Sequence, residues 1–434
     1  MMHQALCRGV LAAGVVWWGA AQGLEGADWP RFRGPNGTGI SPDADVPVEI
    51  GEEQNLLWKV ELPGQGNASP IVVDGRVYLQ TASVEGDQRM LLCLDLKTGE
   101  PIWKHTVSGE TGETHAKNTL ASCSAAVAGE RVFIPFWDGK NLSLEALDLS
   151  GKRLWSVDLG PFVSQHGAGH SPVVVGNNVI LAIDQDGASE VVALHVDDGR
   201  VAWRSPRPAF RASYSTPILF DQPGEGAEVI ITSTAGVSGY DPESGSEKWK
   251  WTWNSNNLKL RTVGSPIVSQ GAVFFTGGNG PGDRHAVAVR IEGRQGDFSE
   301  QPAMWETRKV LPYVPCLLSQ GEHLYFVNDA GIAGCYVAQS GEKVWENRLG
   351  IGGVVASPVM SGGRIYAVSE QGDVSVIAAK TEFQELFTGR INEGVRASPA
   401  IADNRLLIRG NGLQTGEDGK TAAQGTAHLY CFGK

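Results

Sequence analysis

The chain has 434 residues, of which 41% are hydrophobic, so it is long enough for several average domains or one large repeat fold. Its 36 Lys and Arg side chains against 48 Asp and Glu give a formal net charge of −12. This excess of negative charge argues against a protein that binds nucleic acid or anionic membranes over a broad surface.

The N-terminus has the pattern of a secretory signal peptide. Arg8 precedes an apolar run over residues 9–21, and small residues follow at the expected cleavage point. The run is shorter than the about 20 residues of a membrane-spanning helix, so we expect cleavage rather than an uncleaved anchor. Cys7 lies before the run and is not placed to carry a lipid. We predict a periplasmic or secreted monomer with no transmembrane segment after cleavage.

A first short pattern recurs along the chain: a small residue, a proline, an apolar strand, a glycine-containing turn and a second apolar strand. The first copy runs from Ser69 through the turn at Asp74 and Gly75 to Leu79. Five further copies start at positions 171, 216, 265, 357 and 398, and two degenerate ones start at Ser124 and Pro315. Each copy predicts two antiparallel strands joined by a tight turn.

A second pattern consists of an apolar strand, a turn that ends in glycine, and a tryptophan four residues later. Its clearest copy leads from Cys93 through Gly99 to Trp103, and Phe387 replaces the tryptophan in the seventh copy. The two patterns alternate at intervals of roughly 40 to 56 residues, which is typical of four-stranded propeller blades with strands A to D in order. The tryptophan falls on strand D, where it can pack between neighbouring blades.

The two ends of the chain complete each other. The eighth unit lacks a strand D, whereas residues 56–60 around Trp58 form a strand D without a blade. We therefore predict an all-β fold: a single eight-bladed β-propeller of four-stranded antiparallel blades, closed by an N-terminal strand that completes the last blade. A seven-bladed ring and an open solenoid explain the pattern less well. The predicted regions are a signal peptide (1–23), a lead-in segment (24–55) and the propeller (56–434).

The second pattern resembles the pyrroloquinoline-quinone (PQQ)-like repeat, whose hallmark is Ala-Leu-Asp-x-x-Thr-Gly-x-x-x-Trp. Residues 93–103 read Cys-Leu-Asp-Leu-Lys-Thr-Gly-Glu-Pro-Ile-Trp, and residues 146–155 repeat the motif with one residue fewer. The resemblance covers roughly residues 56–434. The lead-in from Trp29 to Gly37 is also similar to the opening of exported PQQ-like propellers. The architecture implied is the one shared by WD40 and YVTN repeats.

The resemblance implies two different functions, because a fold does not determine an activity. Some relatives oxidise alcohols or sugars with PQQ and a divalent cation, whereas BamB-like relatives are scaffolds without a cofactor. The vicinal cysteines typical of the dehydrogenases and the CxxCH haem motif are both missing from this sequence. We therefore expect a scaffold that binds a protein, peptide or glycan. A PQQ-dependent oxidoreductase with a divergent site is the alternative, and no catalytic or metal-binding residue can be assigned.

In this architecture the D-to-A and B-to-C connections share one face around the axis, and here they are rich in cationic and aromatic side chains. The residues predicted to hold PQQ, or another anionic or polyhydroxy ligand, are Lys117, His166, His170, Arg211, Tyr214, Arg261, Arg284 and Arg396. Further candidates are Asn67, His115, Asn118, Gln165, Asn256, Lys259, Asn279, Asp283 and Tyr313. The alternative is that these are ordinary polar loop residues, some of which face outward.

Overall fold

A computed structural model describes residues 26–222, 226–253, 261–279, 282–308, 310–412, 414–415, 421–422 and 425–434. The predicted signal peptide lies outside the described residues. Within them the chain forms eight blades, each with four antiparallel strands, so the predicted eight-bladed propeller is confirmed. A single turn of 3-10 helix, Pro35–Gly37, is the sole helical element described. No helix in this part of the chain has the length and apolarity to cross a membrane.

The strands follow the predicted order A to D in every blade. Blades 1 to 4 comprise Ile71–Val73, Arg76–Ala82, Gln88–Asp95 and Pro101–Ser108; Ala126–Ala128, Arg131–Trp137, Asn141–Asp148 and Arg153–Pro161; Val173–Val175, Asn178–Ile183, Ser189–His195 and Val201–Arg207; and Ile218–Gln222, Gly226–Ser233, Gly236–Tyr240 and Glu247–Thr252.

Blades 5 to 8 continue the same arrangement. They comprise Ile267–Ser269, Ala272–Gly278, Arg284–Arg290 and Trp305–Thr307; Leu318–Gln320, His323–Val327, Ile332–Val337 and Lys343–Arg348; Val359–Ser361, Arg364–Val368, Asp373–Ala378 and Glu385–Arg390; and Ala400–Ala402, Arg405–Arg409, His428–Phe432 and Leu56–Glu61.

Three short elements lie outside this scheme. Ile40–Ser41 pairs in parallel with strand A of blade 7, and Gly296–Asp297 pairs in parallel with strand D of blade 4. A small hairpin of Gln414–Thr415 and Thr421–Ala422 lies in the B-to-C connection of blade 8.

The ring closes where the sequence predicts. Leu56–Glu61 runs antiparallel to His428–Phe432, with Trp58 opposite Cys431. The N-terminal strand thereby occupies the outer position of the last blade. Because this strand pairs with the last strand of the chain in one sheet, the edge of His428–Phe432 that faces it is not left unpaired.

The Gly-x-x-x-Trp motif joins neighbouring blades at five of the eight junctions in the part of the chain that the structure describes. The indole N–H of Trp103 in blade 1 donates to the carbonyl of Leu149 in blade 2 at 2.9 Å. Its ring covers Gly151, where a Cβ atom would lie 2.6 Å from the nearest ring carbon and the backbone φ is +86°. The same contact recurs in Trp58–Gly99, Trp155–Gly199, Trp203–Gly245 and Trp305–Gly341. Glycine in the motif therefore receives the tryptophan of the preceding blade.

The small residue before strand A also connects blades. Its backbone N–H donates to the side chain at the same position in the next blade, which supplies an acceptor at the crowded inner ends of the sheets. The described bonds run from Ser69 to Ser124, Ser124 to Ser171, Thr216 to Ser265, Ser265 to the Cys316 thiol, Cys316 to Ser357, and Ser357 to Ser398.

The described part of the lead-in lies across the channel on the side of the A-to-B turns. The Arg31 guanidinium donates to the carbonyl of Pro217, and that of Arg33 donates to the carbonyls of Leu317 and Pro358. Both arginines are buried. These contacts tie the inner strands of three blades together, so this end of the channel is closed by the segment that precedes the propeller.

Candidate functional site

A cavity of about 640 Å³ lies on the axis, at the face that carries the D-to-A and B-to-C connections. All eight blade junctions contribute to its wall. Phe32 of the lead-in lies at its inner end, together with the side chains that begin strands A, among them Ser69, Ser171 and Ser357. Because the lead-in closes the opposite end, the cavity is a blind pocket that opens on the loop-bearing face.

Seven of the eight predicted ligand-binding residues line this cavity: Lys117, His166, Arg211, Tyr214, Arg261, Arg284 and Arg396. So do the additional candidates Asn67, His115, Asn118, Asn279 and Tyr313. Gln165 and Asp283 are outside the lining, and Asn256 and Lys259 fall outside the described residues. The positions of the lining residues agree with the prediction, whereas ligand binding by them stays a prediction.

His170 lies behind the cavity wall. It is 1% exposed, its Nε2 is 3.0 Å from the carbonyl oxygen of Ser213, and its ring meets the Phe162 ring edge-on. Burial lowers the pKa of His170 to about 4, so the imidazole is neutral at pH 7. The contacts give it a positioning role: it holds the loop before strand A of blade 4 against the loop before strand A of blade 3.

The cavity is unevenly charged. Five cationic side chains line it, and Asp329 is the sole carboxylate among the lining residues. Asp329 accepts the backbone N–H groups of Tyr313 and Val314 at 2.7 and 3.2 Å, and it faces Arg284 at 3.8 Å. At the rim, Glu370 binds Lys117 at 2.5 Å and Arg396 at 3.1 Å. Glu370 and Asp329 therefore provide counter-charges for Lys117, Arg396 and Arg284.

Arg261 has a different environment. Its side chain is buried, one guanidinium nitrogen is 3.4 Å from the carbonyl oxygen of Ala212, and the described residues offer Nη2 no partner. Burial lowers the pKa of His166 to about 4, assisted by the positive charges of Arg261 and Arg211. The neutral His166 ring therefore adds no further charge to this wall at pH 7.

A strap formed by residues 109–119 crosses the mouth of the cavity. The His115 ring stacks on the His166 ring with centroids 4.8 Å apart, and the Asn118 amide donates to the carbonyl of His166 at 2.6 Å. On the far side, Arg396 donates to the carbonyl of Ala116 at 2.9 Å. The strap thus links the blade 2–3 junction to the blade 7–8 junction and narrows the entrance.

Some residues that line the cavity are not among the predicted ones. Asp329 lies in the B-to-C turn of blade 6, a connection that the repeat places on this face, so its position was open to prediction. Phe32 belongs to the lead-in, whose path across the channel has no counterpart in the repeat. The described residues contain no group of three or more His, Cys, Asp or Glu side chains that could hold a metal ion.

Comparison with known proteins connects this architecture to one family. The family model described as "Outer membrane protein assembly factor BamB" matches residues 48–148, 140–303 and 328–424. Among curated proteins, BamB of Moranella endobia (strain PCIT) is 28% identical over 171 residues, which are 38% of this chain and 39% of that protein. The match therefore spans about two fifths of that relative.

Solved structures of both functional kinds share the fold. BamB from Moraxella catarrhalis superposes with a TM-score of 0.61 at 15% identity, over 87% of this chain and 97% of that one. A europium-containing methanol dehydrogenase gives 0.64 at 13% identity, over 94% and 98%. The quinohemoprotein alcohol dehydrogenase from Comamonas testosteroni gives 0.64 at 14% identity, over 94% and 81%. At these identities the likeness establishes the fold alone.

Proposed function

The chain belongs to the family of the outer membrane protein assembly factor BamB, and from that premise we propose that it is an exported binding scaffold. Its partner is a protein or peptide that docks on the loop-bearing face and inserts a short segment into the axial cavity. A glycan is a second class of partner that the polar lining would accept. The blind, cationic cavity carries this proposal, because it concentrates positive charge on a chain whose net charge is −12.

Charge supports the choice of this face. A partner with acidic groups is repelled by the net negative charge of the molecule and attracted at the cavity mouth. The charge pattern therefore favours acidic partners and directs them to this face. Phe210 and Val163 are 73% and 55% exposed and lie in the same D-to-A connections, next to Arg211 and Ser164. They offer apolar contacts beside the charged opening, as binding surfaces commonly do.

A PQQ-dependent oxidoreductase is the alternative, and the cavity fits that cofactor in part. PQQ would supply an electron-accepting quinone, and Arg211, Arg261 and Lys117 would suit its carboxylates. None of the described lining residues is a tryptophan that could stack on the ring system, and the described residues contain no group of three or more His, Cys, Asp or Glu side chains that could hold a metal ion. The donor set therefore matches the acidic groups of PQQ, and it offers a divalent cation one carboxylate, Asp329, among the described lining residues.

Photo-crosslinking in the producing organism tests the scaffold. A photoreactive amino acid at Phe210 samples the loop-bearing face, and one at Arg200, in the exposed C-to-D turn of blade 3, samples the opposite face as the matched control. We expect discrete protein adducts from position 210 and none from position 200. Adducts from neither position, or equally from both, would contradict the proposed face.

Reconstitution distinguishes the alternative. The purified protein is incubated with PQQ and Ca²⁺, and dye-linked oxidation of alcohols and sugars is followed. The scaffold proposal expects no turnover. Stoichiometric quinone binding with sustained turnover would replace it with the oxidoreductase.

A further inference from the structure

We propose that Arg261 is the receptor for a carboxylate inside the axial cavity, so that the ligand admitted there carries carboxylate groups. The inference rests on the proposed binding function of this face and specifies the chemistry of what enters. Two sources offer that chemistry: the acidic side chains or the C-terminus of a peptide, and a free polycarboxylate.

Counter-charges are distributed unevenly among the cations of the cavity. Lys117 and Arg396 share Glu370, and Arg284 faces Asp329. Arg261 is only 4% exposed, and the described residues offer its Nη2 atom no hydrogen-bond partner. A buried charge without a partner is costly. An anion that binds to Arg261 would therefore remove an unfavourable contribution to the free energy of the protein.

Two backbone hydrogen bonds hold Arg261 in place. Its backbone N–H donates to the carbonyl of Gly278 at 2.7 Å, and its own carbonyl accepts from the Gly278 N–H at 3.0 Å. This pair of bonds attaches the residue to the end of strand B in blade 5. A guanidinium on a rigid element presents a planar fork of donors that matches a carboxylate in two parallel hydrogen bonds.

Two tyrosine side chains line the cavity together with Arg261. Burial raises the pKa of Tyr214 to about 12, and that of Tyr313 is also raised by burial, while the positive charge of Arg261 acts in the opposite direction on both. Both phenols therefore stay protonated at neutral pH. They lie within electrostatic reach of Arg261, where hydroxyl donors can add to the binding of an anion.

The volume of the cavity limits which molecules can reach Arg261. A cavity of about 640 Å³ is within the usual range for small-ligand pockets. It is too small for a folded domain and sufficient for a few residues of an extended chain. An acidic peptide end or a compact polycarboxylate is therefore the kind of molecule that can reach Arg261.

Calorimetric titration at low salt tests the inference with three probes: citrate, an acetylated tetraglutamate peptide, and the matching tetraglutamine peptide. We expect tetraglutamate to bind the wild-type protein, tetraglutamine not to bind, and Arg261→Gln to weaken tetraglutamate binding by about tenfold or more. Arg200→Gln removes one positive charge from the opposite face and should leave the affinity unchanged. Citrate binding at the same site, with the peptide excluded, would assign the site to the free acid.

Two results would overturn the inference: equal binding of both peptides to the wild-type protein, or unchanged tetraglutamate and citrate binding in a folded Arg261→Gln protein. If Arg261→Gln does not fold, as judged by its melting temperature, Arg261→Lys keeps the charge without the planar fork and should bind more weakly than wild type. Crosslinking at position 210 without any carboxylate binding would refute the proposal that Arg261 binds a carboxylate, and it would still support the proposed scaffold function.

Discussion

Replacing Gly151 by alanine tests the contact that joins neighbouring blades. Gly151 has φ of +86°, and a Cβ atom built on it would lie 2.6 Å from Cδ2 of Trp103. The substitution therefore imposes two costs: a backbone conformation unfavourable to L-residues, and displacement of a large ring. Gly129 in the same blade is the matched control, since it has φ of +56° and nothing within 4 Å of its Cβ position.

The magnitudes can be separated. A positive φ costs an L-residue roughly 1–2 kcal/mol, and the loss of unfolded-chain entropy returns about 0.4–1 kcal/mol in both variants. Displacing Trp103 adds the loss of its 2.9 Å hydrogen bond to Leu149, about 1 kcal/mol, and part of its packing, about 1–2 kcal/mol. We therefore expect Gly151→Ala to destabilise the protein by about 2–3 kcal/mol more than Gly129→Ala.

Urea unfolding followed by circular dichroism measures this difference, provided that the slope m is unchanged between the variants. A lower midpoint for Gly151→Ala than for Gly129→Ala is expected. Equal midpoints would refute the reasoning, because they would mean that the tryptophan–glycine contact adds nothing beyond backbone strain.

Two further predictions concern the walls and mouth of the cavity. The pKa of His170 is lowered to about 4 by burial, whereas an unfolded histidine titrates near about 6.5; acidification from about pH 7.5 to 5 therefore protonates the unfolded chain first and destabilises the fold by about 2 kcal/mol. His170→Gln should lack this contribution, and an unfolding midpoint with the same pH dependence as wild type would contradict it. Glu370→Gln should raise citrate affinity about two- to fivefold at low salt, because it frees the charges of Lys117 and Arg396; calorimetry that shows no gain, or a gain insensitive to salt, would argue against an electrostatic mouth.

The ring and its closure were predictable because the signals that carry them are local. Turn glycines and apolar strands recur in the same phase, so their number gives the number of blades, and the unmatched strand at Trp58 identifies the closing element. Contacts between blades are not local. Gly99 and Trp103 belong to one motif, yet Gly99 meets Trp58 and Trp103 meets Gly151. The spacing within a motif does not show which copy supplies the partner.

The sequence predicts which loops form the site, but it does not predict the direction of each side chain. The phase of the repeat places the D-to-A connections on one face, and this brought seven of the eight candidates to the cavity. The direction of an individual side chain depends on its own bonds: His170 turns to the carbonyl of Ser213 and packs on Phe162. Phe32 was not predictable, because the lead-in crosses the channel once and no repeated copy reveals its path.

A crystal structure of the protein with the acetylated tetraglutamate peptide tests the central claim most directly. The account predicts density for the peptide in the axial cavity, with one of its carboxylates at about 3 Å from the Arg261 guanidinium. A peptide bound elsewhere on the propeller, or a cavity that admits neither the peptide nor citrate at saturating concentration, would contradict the claim.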